Sequence, residues 1–522
     1  MILALLFASM LLSPVSAAGA DQVQADPVAV AGVAAQPMTA LLQPLTEDRL
    51  FRESVIGLQV VNVRTGEEAY GYQADRPMQP ASVMKLLTTA TALRTLGPAW
   101  RFGTDFLTEE DAKLTPEGVL EGNLYIKGGG DPTLVVEKLW RMVADLQLAG
   151  VTSIAGNVVF DDSFFADSAN IPGWDKDVDI QNGPSYFAPL SALSVNYNTA
   201  CLVIGPGTGV GQPARVQLDT PVSVIEIDNK VVTVRAGGRR WLRIDRELDE
   251  EDPTLVKFTV RGEMPLDAGV EREYRTVAEP LSHFISVFRG VMDERKLKVK
   301  GRYVQGVTPK DAARLVHLDS PPLATILADM NKHSSNFMAE QILRAVGATV
   351  KGAPATTAKG VSVINDYLVS IGLAPDTFKL VNGSGLSREI SVPPSVITAV
   401  ILDMYGDHKV GYEFLSSLAI GGVDGTLWAR FRDESTSGRL RGKTGSLNGV
   451  FCLAGVVDGG DGEVYAFALL ANELGSSSWP VKRLIERFGE SIIAMNAGDL
   501  GTADALPGAP LEAEEAAAAD VQ

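Results

Sequence analysis

The residues best equipped for chemistry begin with Ser82-Val83-Met84-Lys85. On a helix, positions three apart share a face, so Ser82 Oγ and Lys85 Nζ can meet. A serine needs a base before it becomes a nucleophile. No His stands near Ser82 in the sequence, so a desolvated, neutral Lys85 is the available proton acceptor. A helix start also favours negative charge developing on the attacking oxygen. Alone, the spacing is weak, because Ser is a common helix cap. A second stretch, Lys443-Thr444-Gly445, falls on a strand-like run. A strand edge can pair with an extended peptide. Gly445 removes a side chain where a substrate comes close, Lys443 offers a cation to a carboxylate, and Thr444 offers a hydroxyl. A third, Ser334-Ser335-Asn336, opens a helical pattern. It fits simple capping as well, and Ser168, Ser194 and Ser446 begin other S-x-N triplets.

Other chemistries find less support. Gly442-Lys443-Thr444 imitates the end of a phosphate loop, but Ser437 stands where that motif needs its first Gly. The residues after Thr444 read as strand, so no helix N-terminus would face a phosphate. The glycines at 128–130 lack a Gly-Lys-Thr after them too, and read as a turn with Asp131. The four His (His283, His317, His333, His408) form no H-E-x-x-H pair, and two Cys in 522 residues exclude a cysteine-rich zinc module. No metal or cofactor is expected. A formal charge of -18 repels phosphate backbones and argues against nucleic-acid partners. The composition, 46% hydrophobic and 21% charged, is that of a globular chain with two or three domains.

The elements that must carry these residues emerge from local pattern. Residues 1–20 read as an export signal: an apolar run from Ile2 to Leu12, too short to span a bilayer, then small residues. Export to the periplasm or another extracytoplasmic space is therefore expected. No later run is long enough for a transmembrane anchor. Residues 21–40 read as a linker. Val55–Val63 is strand-like, and Arg64-Thr65-Gly66-Glu67 turns it into a second strand around Tyr70 and Tyr72. Pro80-Ala81 opens a helix that Gly97-Pro98 ends. From about 104 to 312, short β-branched runs alternate with Gly, Asp and Pro turns, which predicts a β-rich insert of one or two lobes. Helices return at 323–330 and 336–346. Strands at 439–444, 450–457 and 464–470 and a helix over 479–494 close the domain. The expected division is 41–103 and 313–495 for one split domain, 104–312 for the insert, and 496–522 for a disordered acidic tail. Cys201 and Cys452 fall in different domains and are expected to be free thiols.

The order S-x-x-K, S-x-N, K-T-G is that of penicillin-recognising serine enzymes. The chain resembles the D-alanyl-D-alanine carboxypeptidase/endopeptidase family of low-molecular-mass, class C penicillin-binding proteins, over roughly residues 40–495. The likeness extends to Lys127–Leu134, Phe160–Phe165, Ala188–Ser194, Asn382–Arg388, Gly422–Leu427 and Lys443–Leu447. It implies an α/β (α+β) fold of the penicillin-binding, serine β-lactamase-like kind: an antiparallel sheet flanked by helices, interrupted by a large β-rich insert. It implies a serine DD-peptidase, carboxypeptidase or endopeptidase, acting on peptidoglycan stem peptides and acylated by β-lactam antibiotics. Ser82 would be the nucleophile and Lys85 its base. Ser334 would relay the proton to the leaving amine beside Lys443, Asn336 would hold the substrate amide and Lys85, and N–H groups of Ser82 and Ser446 would form the oxyanion hole. Lys443, Thr444 and Ser446, on the strand that includes Gly445, would receive the terminal carboxylate. Some members grip a diaminopimelate side chain with an acid, an aromatic and an Arg, and the matching positions are Asp161, Phe165 and Arg388. Each also admits a structural reading: a turn cap, a core ring, an ion pair. The alternatives are a β-lactamase, for which no deacylating base stands out, and a non-catalytic β-lactam sensor or scaffold, which the intact motifs oppose.

Overall fold

The computed structural model describes residues 38–51, 54–166, 171–174, 183–475 and 478–495. The export segment, residues 21–37 of the linker and the 496–522 tail lie outside the described residues.

Two strands near the chain's end explain the body. Val450–Asp458 and Val464–Asn472 are apolar almost throughout, as strands covered on both faces must be. Successive side chains point to opposite faces. Cys452, Ala454, Val456, Ala466, Ala468 and Leu470 enter one core, while Leu453, Val457, Tyr465, Phe467, Leu469 and Ala471 enter another. These strands centre a six-stranded sheet in the order 419–420, 440–447, 450–458, 464–472, 55–62, 68–72, antiparallel at every pairing. The first core packs helices Lys85–Leu96, Leu323–Lys332, Asn336–Lys351, Thr357–Ser370 and Pro394–Tyr405 on one face. Helices Met38–Thr46 and Ser478–Ile493 cover the other. The first of these begins inside the segment expected to be linker, because Met38, Leu42 and Leu45 are buried against the sheet.

The insert has two lobes. Its first sheet runs 303–305, 158–161, 124–128, 103–108, 313–319, over a core shared with helices Val136–Leu148 and Pro280–Glu294. Ala313–Asp319 pairs antiparallel with Gly103–Thr108. This corrects the expected boundary at 312/313: the insert's sheet uses the strand on each side of that division and extends to 319. The second lobe, Thr199–Thr276, holds two three-stranded sheets around a core of its own. Cys201 lies there and Cys452 in the body, both as free thiols.

Candidate active site

Ser82 does not sit on the α-helix. Ala81–Met84 form one 3-10 turn, and the α-helix starts at Lys85. In a 3-10 turn, side chains at i and i+3 eclipse, which brings Ser82 Oγ to 2.9 Å from Lys85 Nζ. The turn is clamped. Ala81 is fully buried with φ of 46°, a conformation that side chains with a Cβ rarely adopt and that the surroundings must impose. A Cβ on Gly385 would fall 1.9 Å from the Ala81 carbonyl oxygen, and one on Gly445 2.7 Å from that of Pro80. Gly445 thus makes room for the serine turn, where the sequence pointed to substrate space.

Lys85 is fully buried. Besides Ser82, Nζ donates to Asn336 Oδ1 at 2.7 Å and to the Ser384 carbonyl at 2.7 Å. A neutral amine has two N–H bonds and one lone pair, so the two carbonyl oxygens take both N–H bonds and leave the lone pair for the Ser82 hydroxyl. Burial pushes the Lys85 pKa well down and the Lys443 charge adds to this, against an opposing pull from Glu340.

Ser334 joins helices Leu323–Lys332 and Asn336–Lys351 with φ of 58°. Its neighbour Ser335 is the helix cap, accepting from Met338 N at 3.2 Å. The capping role therefore falls on Ser335, while Ser334 Oγ accepts from Lys443 Nζ at 2.8 Å. Lys443 is fully buried, also donates to the Thr444 carbonyl, and is pushed down by burial to about 7. Strand 419–420 pairs only with 441–442, so residues 443–447 present an edge with no further strand among the described residues. Thr444 Oγ1 lies 2.8 Å from Thr426 Oγ1, on a turn that Asp424 anchors to Lys332 at 2.5 Å.

The structure thus brings Ser82, Lys85 and Asn336 into one hydrogen-bonded cluster, and the Lys443 charge, which acts on Lys85, ties the Ser334–Lys443 pair to it. Asp161, Phe165 and Arg388 have three separate sets of neighbours. Asp161 is 1% exposed. One oxygen accepts from Ser163 N and Oγ, the other from Thr308 N. Burial raises its pKa, but these hydrogen bonds outweigh it and hold the pKa below the ordinary value. Phe165 is a core ring under the Arg344 guanidinium. Arg388 donates to Gln79 Oε1 at 3.2 Å and lines a groove of about 210 Å³ with Gln79, Ser391, Asn472 and Glu473. Among the described residues, no group of three or more His, Cys, Asp or Glu could hold a metal ion.

The sequence model of the D-Ala-D-Ala carboxypeptidase 3 (S13) family matches residues 38–484. The chain belongs to this family. It is 31% identical over 474 residues to the D-alanyl-D-alanine carboxypeptidase of Actinomadura sp. (strain R39), covering 88% of this chain and 85% of that one. It is 24% identical over 434 residues to D-alanyl-D-alanine carboxypeptidase DacB of Haemophilus influenzae, covering 81% and 86%. The fold matches crystalline penicillin binding protein 4 of Haemophilus influenzae with a TM-score of 0.73 at 23% identity, over 87% of this chain and 98% of that one. The same Haemophilus protein complexed with a β-lactam matches with a TM-score of 0.68.

For an S13 chain, several groups in this cluster carry no residue-type signal. The Ser384 carbonyl and the Tyr186 carbonyl, which accepts from Asn336 Nδ2 at 3.1 Å, are backbone atoms. Tyr186 belongs to the chain between the insert's lobes, so that segment reaches Asn336. Ser384 lies in Asn382–Arg388 and Thr426 in Gly422–Leu427, two of the stretches that carry the family resemblance, and that likeness is the sequence's pointer to them.

Proposed function

We propose that this chain is a serine-type D-Ala-D-Ala carboxypeptidase that cleaves peptidoglycan stem peptides through an acyl-enzyme on Ser82. One observation carries this reading: a buried Lys85 amine whose two N–H bonds are taken by carbonyl oxygens and whose third contact is the Ser82 hydroxyl. Ser82 Oγ attacks the carbonyl carbon of the penultimate D-Ala, and its proton passes to Nζ. The oxyanion is received by N–H groups of Ser82 and Ser446. As the peptide bond breaks, Ser334 Oγ gives its proton to the leaving D-Ala nitrogen, and the proton that Lys85 took from Ser82 replaces it, so that Lys85 is again neutral and Lys443 is unchanged. Water then attacks the ester, releasing the shortened peptide and regenerating the Ser82 hydroxyl.

The substrate lies along the open edge at 443–447 as an added strand. Its terminal carboxylate meets Lys443, Thr444 and Ser446, and Asn336 holds its amide. A D-alanyl cross-link presents the same carbonyl with a different leaving amine, so the site serves DD-endopeptidase cleavage by the same steps. Arg388 receives a carboxylate from the third residue of the stem, and its position on a groove supports this role. The neighbours of Asp161 (Ser163 and Thr308) and of Phe165 (Arg344) support structural roles for both. A β-lactam, whose ring amide imitates the D-Ala-D-Ala bond, leaves Ser82 acylated; the β-lactam complex of the Haemophilus relative supports this. The substrate lies outside the cytoplasm, which agrees with residues 1–20 as an export signal. Among the described residues no helix is long and apolar enough to cross a membrane.

The test is to incubate the chain with a fluorescent penicillin and then with a peptide ending in D-Ala-D-Ala. Stable labelling with D-Ala release supports the reading. Rapid loss of label would mark a β-lactamase, and labelling without D-Ala release a sensor. Cross-linked and monomeric muropeptides, run side by side, measure the balance of endopeptidase and carboxypeptidase action.

A further inference from the structure

Asn336, Glu340 and Arg344 are spaced i, i+4, i+8 along one helix, and so form a single stripe. All three are buried, Glu340 and Arg344 completely. Asn336 touches Lys85 directly. One turn on, Glu340 Oε1 accepts from both Gly383 N at 3.0 Å and Ser384 N at 2.7 Å. The carbonyl of that same Ser384 is the other acceptor of Lys85 Nζ. Glu340 Oε2 is buried with no hydrogen-bond partner among the described residues. A further turn on, Arg344 donates to Thr357 Oγ1 and lies over the Phe165 ring.

A buried carboxylate is costly and is retained only where its partners compensate. Here the two backbone donors belong to the loop that carries a contact of the base. We propose that Glu340 is a positioning residue for Lys85: its carboxylate fixes the 383–384 backbone so that the Ser384 carbonyl holds Nζ, and its charge stabilises the ammonium formed when Lys85 takes the Ser82 proton. The inference rests on the acyl-enzyme reading of Ser82. The other charged groups facing this pair are Lys443, from the strand 440–447, which opposes the ammonium, and Arg344, from the same helix, which favours the Glu340 carboxylate. The loop 383–386 and the helix 85–96 place no other ionisable side chain against them. Burial holds the Glu340 pKa above the ordinary carboxylate value, and the Ser384 and Gly383 hydrogen bonds and Arg344 offset this only in part. Burial and Lys443 depress Lys85, and Glu340 counters them.

Glu340→Gln keeps an oxygen for both N–H groups and removes the charge. Acylation requires neutral Lys85, so its rate climbs with pH on an acidic limb. Without the Glu340 charge Lys85 loses its proton more readily and is a weaker base. In E340Q the acidic limb of the second-order acylation rate with a fluorescent penicillin should move to lower pH by about one unit, a tenfold change in proton affinity. The high-pH plateau should fall about threefold. Glu340→Asp keeps the charge but draws it back from the loop, so its limb should stay within about 0.3 unit of wild type while its plateau falls about tenfold. Coincident limbs in wild type and E340Q, or a shift to higher pH, would overturn the role of Glu340. If E340Q does not fold, E340D decides: an undiminished plateau overturns the proposal. Wild-type chain that fails to acylate would instead sink the Ser82 reading, and this one with it.

Discussion

In the insert, buried Asp161 and half-buried Glu109 are saturated by hydrogen bonds from neutral donors. In the body, buried amines are shared among groups drawn from distant stretches of chain. Asp161 has three donors from Ser163 and Thr308. Glu109 takes hydrogen bonds from Asn123 and Tyr125; burial raises its pKa, yet the hydrogen bonds leave it lowered. In both, the hydrogen bonds favour the charged form. Lys85 has hydrogen-bond partners on residues 82, 336 and 384, and a like charge at Lys443. Its charge is penalised rather than secured. The difference teaches that burial of an ionisable group does not by itself mark chemistry. The mark is burial combined with partners that leave the group near the point of losing or gaining a proton.

The comparison breaks first if the body's groups prove inert. Ser82→Ala should abolish penicillin labelling and lower D-Ala release by at least about 10³-fold, read by gel fluorescence and amino-acid analysis. Lys85→Met fills nearly the same volume without the amine. Its acylation should fall about 10³-fold or more, while its melting temperature changes little, because the relief of burying an amine is offset by the lost donors to Asn336 Oδ1 and the Ser384 carbonyl. A K85M protein that acylates normally would remove Lys85 as the base.

A smaller effect is expected from Lys443. Its folded pKa lies near 7, below that of a free lysine, so its cation is present below about pH 7 and is lost as pH rises through that value. The substrate carboxylate should then bind progressively less well: KM for a D-Ala-D-Ala peptide should rise severalfold between about pH 7 and 9. Lys443→Arg cannot deprotonate in that range and should flatten the rise, even if its longer side chain lowers kcat. A KM independent of pH in wild type would place Lys443 outside carboxylate recognition.

The sequence discloses most where chemistry restricts the choice of residue. Ser82, Lys85, Ser334, Asn336 and Lys443 stand out because few residue types can do their work, and their order along the chain is specific. The alternation in 450–472 is readable because two cores require two apolar faces. The 3-10 turn at Ala81–Met84 reads as α-helix in the sequence, since a local pattern does not separate the two hydrogen-bonding schemes when a strong helix comes next. Glu340 carries no signal of its own, because a carboxylate on a helix ordinarily faces water, and only tertiary packing shows that it faces Gly383 and Ser384. The 313–319 strand reads as part of the body because its partner, 103–108, lies far back in the chain. Helices 136–148 and 280–294 are hidden among the β-branched runs around them.

The smallest effect sharpens the comparison from the insert's side. If Asp161 is structural, Asp161→Asn should lower stability by about 1 kcal/mol, the worth of weakened hydrogen bonds to a buried group, and leave kcat/KM within about twofold. The pH dependence carries a sign. Because the folded pKa of Asp161 is depressed, its stabilisation is fully present above the ordinary carboxylate value of about 4 and is lost as pH falls through the lower folded value. Melting temperatures of wild type and D161N should therefore differ at pH 7 and draw together as the solution is acidified below about pH 4. The opposite outcome would be an unchanged melting curve with a tenfold loss of kcat/KM confined to peptides whose third residue carries an amine. That would make Asp161 a substrate contact, and a saturated carboxylate would then no longer be distinguishable from a working one by its hydrogen bonds.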